Sequence, residues 1–142
     1  MNIAKSSLLL LSLALAIGAT YAASNDTDAA PLVPHVYGNV AVVNGGASVD
    51  EAAAMKRLAP QYRMRIVFSG GGGEYRVADH LVVTRQGQVV ADVPDAGPWV
   101  LLDLPPGQYQ LRGDFKGASF KRDVALSSSG TTVRWVLPSS LN

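Results

Sequence analysis

The sequence predicts a mainly β fold: a sandwich of about seven strands with one helix, over residues 48–59, ahead of most of them. Three observations carry that expectation. From Tyr62 to the C-terminus apolar residues recur at every second position, the period of half-buried strands. Glycine- or proline-bearing turns punctuate the same stretch at residues 70–73, 86–88, 94–98, 105–107 and 116–117. Helix signals at both ends mark one segment, Ser48 to Ala59.

The chain opens on an export pattern. Lys5 precedes an apolar run, Leu8 to Ile17, broken by Ser12, and Thr20-Tyr21-Ala22 offers a small-x-small cleavage site before Ala23. A bilayer span needs about 20 apolar residues, so residues 1–22 read as a signal peptide, with an uncleaved anchor as the alternative. Residues 23–34, rich in Ala, Ser, Asp and Thr with Pro31 and Pro34, read as a disordered leader. Residues 35–142 are expected to form a single β-sandwich domain, exported to the periplasm or beyond the cell.

Charge narrows the partners. Lys and Arg number 12 and Asp and Glu 11, and residues 1–22 hold Lys5 and no acid, so the exported remainder is formally neutral. Without a basic excess, nucleic acid and anionic membrane surfaces lose their electrostatic attraction, and no membrane insertion is expected after cleavage. The chain has no cysteine, which excludes disulfides, thiolate metal sites, cysteine nucleophiles and a lipid anchor on cysteine. The fold must rest on its apolar core.

The elements follow in order. Asn39 to Val43 suits a short strand, and Asn44-Gly45-Gly46 a turn. Ser48 and Glu51 stand at capping-box spacing, where the serine hydroxyl accepts the amide three residues on and the glutamate reaches back. Asp50 and Glu51 at the start and Lys56 and Arg57 at the end match the helix dipole, and Pro60 stops the helix. Ala52, Met55, Leu58 and Ala59 form a narrow stripe suited to docking on a sheet. Strands are then expected over Tyr62–Phe68, Tyr75–Val83 with a bulge near Asp79-His80, Val89–Val93, Trp99–Leu104, Gln108–Phe115, Ser119–Leu126 and Thr131–Leu137. Trp99–Leu104 and Gln108–Phe115 read as the two arms of a hairpin around Pro105-Pro106-Gly107. Tyr109 and Trp135 read as core.

No motif dictates a reaction. Gly70 to Gly73 lack the following helix, Lys and Ser/Thr of a phosphate loop and read as a loop between strands. The imidazoles are His35, in or beside the leader, and His80, whose neighbour Asp79 would face the other side of its strand. The serines lack a nucleophile elbow, and the aspartates lack calcium-loop spacing. Arg112-Gly113-Asp114 spells an adhesion tripeptide but falls inside a strand. No catalytic residue, metal ligand or cofactor is expected. On the strand entering the Pro-Pro-Gly turn, Val100, Leu102 and Leu104 take the inner face, so Trp99, Leu101 and Asp103 point outward. Either the helix covers Trp99 and Leu101, or they form an exposed binding patch.

Leu104-Pro105-Pro106-Gly107-Gln108-Tyr109, the Lys116-Gly117 turn and the Phe120–Leu126 strand resemble the carboxypeptidase regulatory-like domains. That resemblance implies an Ig-like/transthyretin-like β-sandwich, related in shape to starch-binding domains. Gly45-Gly46 before Asp50-Glu51, then Met55, Tyr62, Pro98 and Arg134-Trp135, extend it to a group of small secreted proteobacterial proteins without an assigned activity. In peptidases such domains sit beside a separate catalytic domain. The Tyr-Arg-Gly-Ser tail of transthyretin-like hydrolases is not present at Leu137 to Asn142.

Three functions follow as expectations. The first is a non-catalytic exported module that binds an envelope protein or surface component, with Trp99, Leu101, Tyr75, Gly71 and Gly72 as contacts. The second is a carbohydrate-binding module using Trp99 with Tyr75. The third is a small hydrolase centred on His80. Oligomeric state is left open.

Overall fold

The computed structural model describes residues 32–141, so the expected signal peptide and the expected leader up to residue 31 lie outside the described residues. The described chain contains β1 (His35–Tyr37), β2 (Val40–Gly45), α1 (Val49–Leu58), β3 (Met64–Ser69), β4 (Ala78–Arg85), β5 (Gln88–Ala96), β6 (Trp99–Leu102), β7 (Gly107–Phe115), β8 (Ala118–Leu126) and β9 (Thr131–Val136). They form the expected sandwich: a five-stranded sheet in the order β1-β2-β6-β3-β9 and a four-stranded sheet in the order β5-β4-β7-β8. All pairs are antiparallel except β3 with β9.

The helix forms as its end signals predict. Ser48 Oγ accepts the Glu51 amide at 3.1 Å. Glu51 Oε2 in turn accepts the amides of Gly46 and Ala47, at 3.2 and 3.0 Å, tying the turn to the helix start. Pro60 lies in a single 3-10 turn, Ala59–Gln61, that carries the chain into β3.

Inward-facing residues of both sheets make one core. Phe68, Phe115 and Trp135 meet at its centre, with centroid separations of 5.4 Å, 5.8 Å and 6.3 Å. Tyr109 and Trp135 are buried, as the alternation predicts. Each such side chain contributes roughly 1.5–3 kcal/mol relative to exposure, and with no disulfide this term carries the fold. Gly113 faces inward, where a Cβ would stand 2.8 Å from the Phe115 ring. The Arg112-Gly113-Asp114 tripeptide is thus part of β7, and its glycine makes room for the aromatic centre.

The Pro-Pro-Gly turn corrects the expected hairpin. β6 pairs with β2 and β3 in one sheet, whereas β7 pairs with β4 and β8 in the other, so the turn crosses between sheets. The physical reason is the proline ring. The β1–β2 hairpin turns at Gly38, with φ of 59°, and the β4–β5 and β7–β8 hairpins turn through Gln86-Gly87 and Lys116-Gly117, all four with positive φ (51°, 76°, 45° and 83°). That is the geometry of two-residue turns matched to strand twist, and proline, fixed near −65°, cannot adopt it. The arch is latched instead by Tyr109, whose hydroxyl donates to the Pro105 carbonyl at 2.6 Å, a tyrosine-corner arrangement. Arg85 Nη1 donates to the same hydroxyl at 3.3 Å, its guanidinium lying over the ring.

Two smaller corrections follow. The irregularity in β4 falls between Val83 and Thr84, not near His80. β1 adds an edge strand where no alternation was long enough to read, and Leu32, at the end of the expected leader, packs against the cluster beneath α1. Among the described residues no helix is long and apolar enough to cross a membrane.

Candidate functional site

The outer face of the five-stranded sheet is built in cross-strand rows, because directly paired residues point the same way. One row is Val43, Leu101, Arg65 and Thr132; the next is Gly45, Trp99, Val67 and Arg134. Beyond these, Ser69 pairs with Val136 on one side and bridges to Tyr75 on the other.

Helix α1 covers part of this face. Val43, Met55, Ala59 and Leu101 form a second apolar cluster beneath it, with Leu32, Leu58, Tyr62 and Trp99 packed at its margin. Leu101 is 0% exposed, so it is removed from the candidate contacts: its outward direction leads into the helix, not into water. The choice posed by the sequence thus resolves as cover for Leu101 and partial cover for Trp99, which remains half-buried.

Trp99 is seated by glycine. At Gly46, with φ of +94°, a Cβ would stand 2.7 Å from Trp99 Cδ1. On its other side Tyr75, 44% exposed, meets the indole edge to face, with centroids 6.5 Å apart and planes at 75°. The structure therefore brings Trp99 and Tyr75 together, as a corner rather than a flat stacking platform. Indole Nε1 is buried without a hydrogen-bond partner, a cost of about 1–3 kcal/mol.

Gly71 and Gly72 sit exposed at the tip of the loop before Tyr75. The loop is a closed turn: the Gly73 amide donates to the Gly70 carbonyl at 3.0 Å and the Gly70 amide to the Glu74 carbonyl at 2.8 Å. Glu74 accepts from Arg76 at 2.9 Å. Hydrogen bonding to its own amide, then to Arg76, holds its carboxyl below the ordinary glutamate range.

Arg65 and Arg134 in these rows escaped the sequence reading. Alternation placed both outward, but the residues that join them come from α1 and from a parallel strand distant in sequence. Together with Lys56, Ala59, Pro60, Trp99 and Thr132 they line a shallow groove of about 340 Å³ between α1 and β9. Arg65 Nε donates to Thr132 Oγ1 at 2.9 Å and its Nη1 to the carbonyls of Tyr62 and Ala59, at 3.1 and 3.4 Å.

The outer face of the four-stranded sheet differs. His80 contacts Asp92 through Nε2 and lies 3.9 Å from Asp114 through Nδ1. Arg112 Nε lies 3.7 Å from Asp114, and Ser119 Oγ donates to Asp114 at 2.5 Å. Asp79 turns the other way and accepts the Lys116 amide at 2.6 Å. The Ser119 hydroxyl thus engages a carboxylate and not the imidazole, an order unlike that of a nucleophile with its base. Among the described residues no group of three or more His, Asp or Glu is placed to hold a metal ion.

Comparison with protein-family models and with curated proteins finds no match for this chain.

Proposed function

We propose that the chain is an exported, non-catalytic β-sandwich module, and that it engages an envelope protein or surface component through the uncovered part of the helix-bearing face. The observation that carries this reading is the grouping of Trp99, Tyr75 and Val136 on adjacent rows of one sheet. Tyr75 is 44% and Val136 58% exposed, with the half-buried indole between them and the helix. An aromatic and an aliphatic side chain held outward on a rigid sheet make a ready contact surface. The N-terminal export pattern supports a partner outside the cytoplasm, and the resemblance to regulatory-like domains supports a module without chemistry of its own. On the other sheet His80 meets Asp92, but the Ser119 hydroxyl engages Asp114 and not the imidazole, so that row supports a serine hydrolase less than a binding module.

The test is retention in the envelope. Cells exporting the full chain are lysed osmotically, and the protein is followed through soluble and sedimented envelope fractions. The wild-type chain is expected to sediment with the envelope. Tyr75→Ala combined with Val136→Ser is expected to release it, and His80→Ala on the opposite face is not. Equal partitioning of all three would refute this surface.

A further inference from the structure

We infer that the groove between α1 and β9 binds an acidic, uronate-bearing polysaccharide, with Lys56, Arg65 and Arg134 meeting its carboxylates and Trp99 forming the apolar wall. The inference rests on the preceding reading of this face as the contact surface and names the chemistry it recognises.

Charge is the first argument. Three of the seven lining residues are cations and none is an acid. The chain beyond residue 22 is formally neutral, so this grouping is a local separation of charge. Among the described residues the ion pairs engage Arg63, Arg76, His80 and Arg112 and leave these three groove cations without a carboxylate.

Preorganisation is the second. Arg65 is fixed by its three hydrogen bonds, which use Nε and Nη1 and leave Nη2. Gly130 makes room for it, since a Cβ there would stand 3.0 Å from Arg65 Nη1 and 3.1 Å from Nη2. Arg122 Nη1 donates to the Arg134 carbonyl at 2.7 Å, anchoring the β9 edge. A guanidinium already held in place loses little freedom when it receives a carboxylate.

Shape is the third. At about 340 Å³ the shallow groove stands near the lower end of the roughly 300–1,000 Å³ typical of ligand sites. A sugar acid presents an apolar C–H face and a carboxylate together, and here an indole, the Thr132 hydroxyl and three cations line one groove. An acidic peptide would need a deeper apolar pocket for an anchor side chain.

Calorimetric titration of the purified exported chain tests this, with oligogalacturonate and alginate oligomers as ligands. Neutral dextran, polyaspartate and phosphatidylglycerol vesicles are the comparison arms. Both uronates are expected to bind and dextran is not. Arg134→Glu and Lys56→Glu are each expected to weaken uronate binding about tenfold. Lys121→Glu, the same charge change on the other sheet, is expected to leave it unchanged, and circular dichroism checks that all variants fold. Failure of both uronates to bind overturns the inference. So does equal binding of dextran, tighter binding of polyaspartate or vesicles, or an equal loss in Lys121→Glu. If the uronates fail while envelope retention still depends on Tyr75 and Val136, the ligand class is wrong and the contact face stands. If retention fails as well, the face itself is wrong.

Discussion

The two outer faces of the sandwich differ in how they dispose of their charges. On the four-stranded sheet, His80 meets Asp92 and Asp114, and Ser119 meets Asp114, across neighbouring strands, while Arg112 lies near Asp114 along β7. Acids and cations are interleaved on this face, although Arg112 Nε is left buried without a hydrogen-bond partner. On the five-stranded sheet, α1 buries Leu101 and Val43 and stops short of β9. What it leaves is an aromatic corner beside three cations with no acid among the groove residues. Similar outward alternation thus produced interleaved acids and cations on one sheet and a groove lined by cations without acids on the other. The difference comes from the helix, which covers part of a sheet and thereby builds the wall of a groove.

The comparison can be sharpened by substitutions on each face. The largest effect is expected beneath the helix, where Leu101→Ala should lower unfolding free energy by about 2–5 kcal/mol, the range for a buried leucine that leaves a cavity. Urea unfolding measures it, and a near-neutral result would mean the helix does not seal this face. Gly46→Ala should follow at about 1–3 kcal/mol, because a Cβ would strike Trp99 from a backbone with φ of +94°. Its near-ultraviolet circular dichroism should also change as the indole shifts. On the other face Asp92→Asn should stay within about 0.5 kcal/mol, because the carboxylate it alters is half exposed and screened by water. A loss as large as that at Gly46 would show that the charged face is structural and would erase the contrast.

How much was legible depends on whether a signal is local. Ser48, Glu51, Met55 and Pro60 announce the helix and its boundaries within a dozen residues, because caps and amphipathic stripes act over one or two turns. Trp99, Leu101 and Asp103 declare their outward direction through strand alternation alone. The Pro-Pro-Gly turn is instructive because its chemistry was readable and was read too simply. Tight punctuation between alternating runs suggested a hairpin, yet two prolines exclude the positive φ that two-residue hairpins use, and Gln86-Gly87 and Lys116-Gly117 show the residues that supply it. Gly71 and Gly72 were placed correctly on a loop, whereas Tyr75 was read as the start of the next strand; that strand begins at Ala78, and nothing local says that Tyr75 instead bridges to Ser69 and folds back against Trp99.

The sequence by itself determined the periods, the caps and the turn types, and hence a β-sandwich with one helix, since these obey forces acting between near neighbours along the chain. Only the tertiary structure decided which sheet each strand joined, that α1 covers Leu101 and leaves Trp99 half open, and that Lys56, Arg65 and Arg134 meet in one groove. Those outcomes depend on pairings between distant segments, such as β3 with β9, where Arg65 lies beside Thr132 and Val67 beside Arg134. A contact of that kind is selected by the packing of the whole core, and no short window of residues contains it.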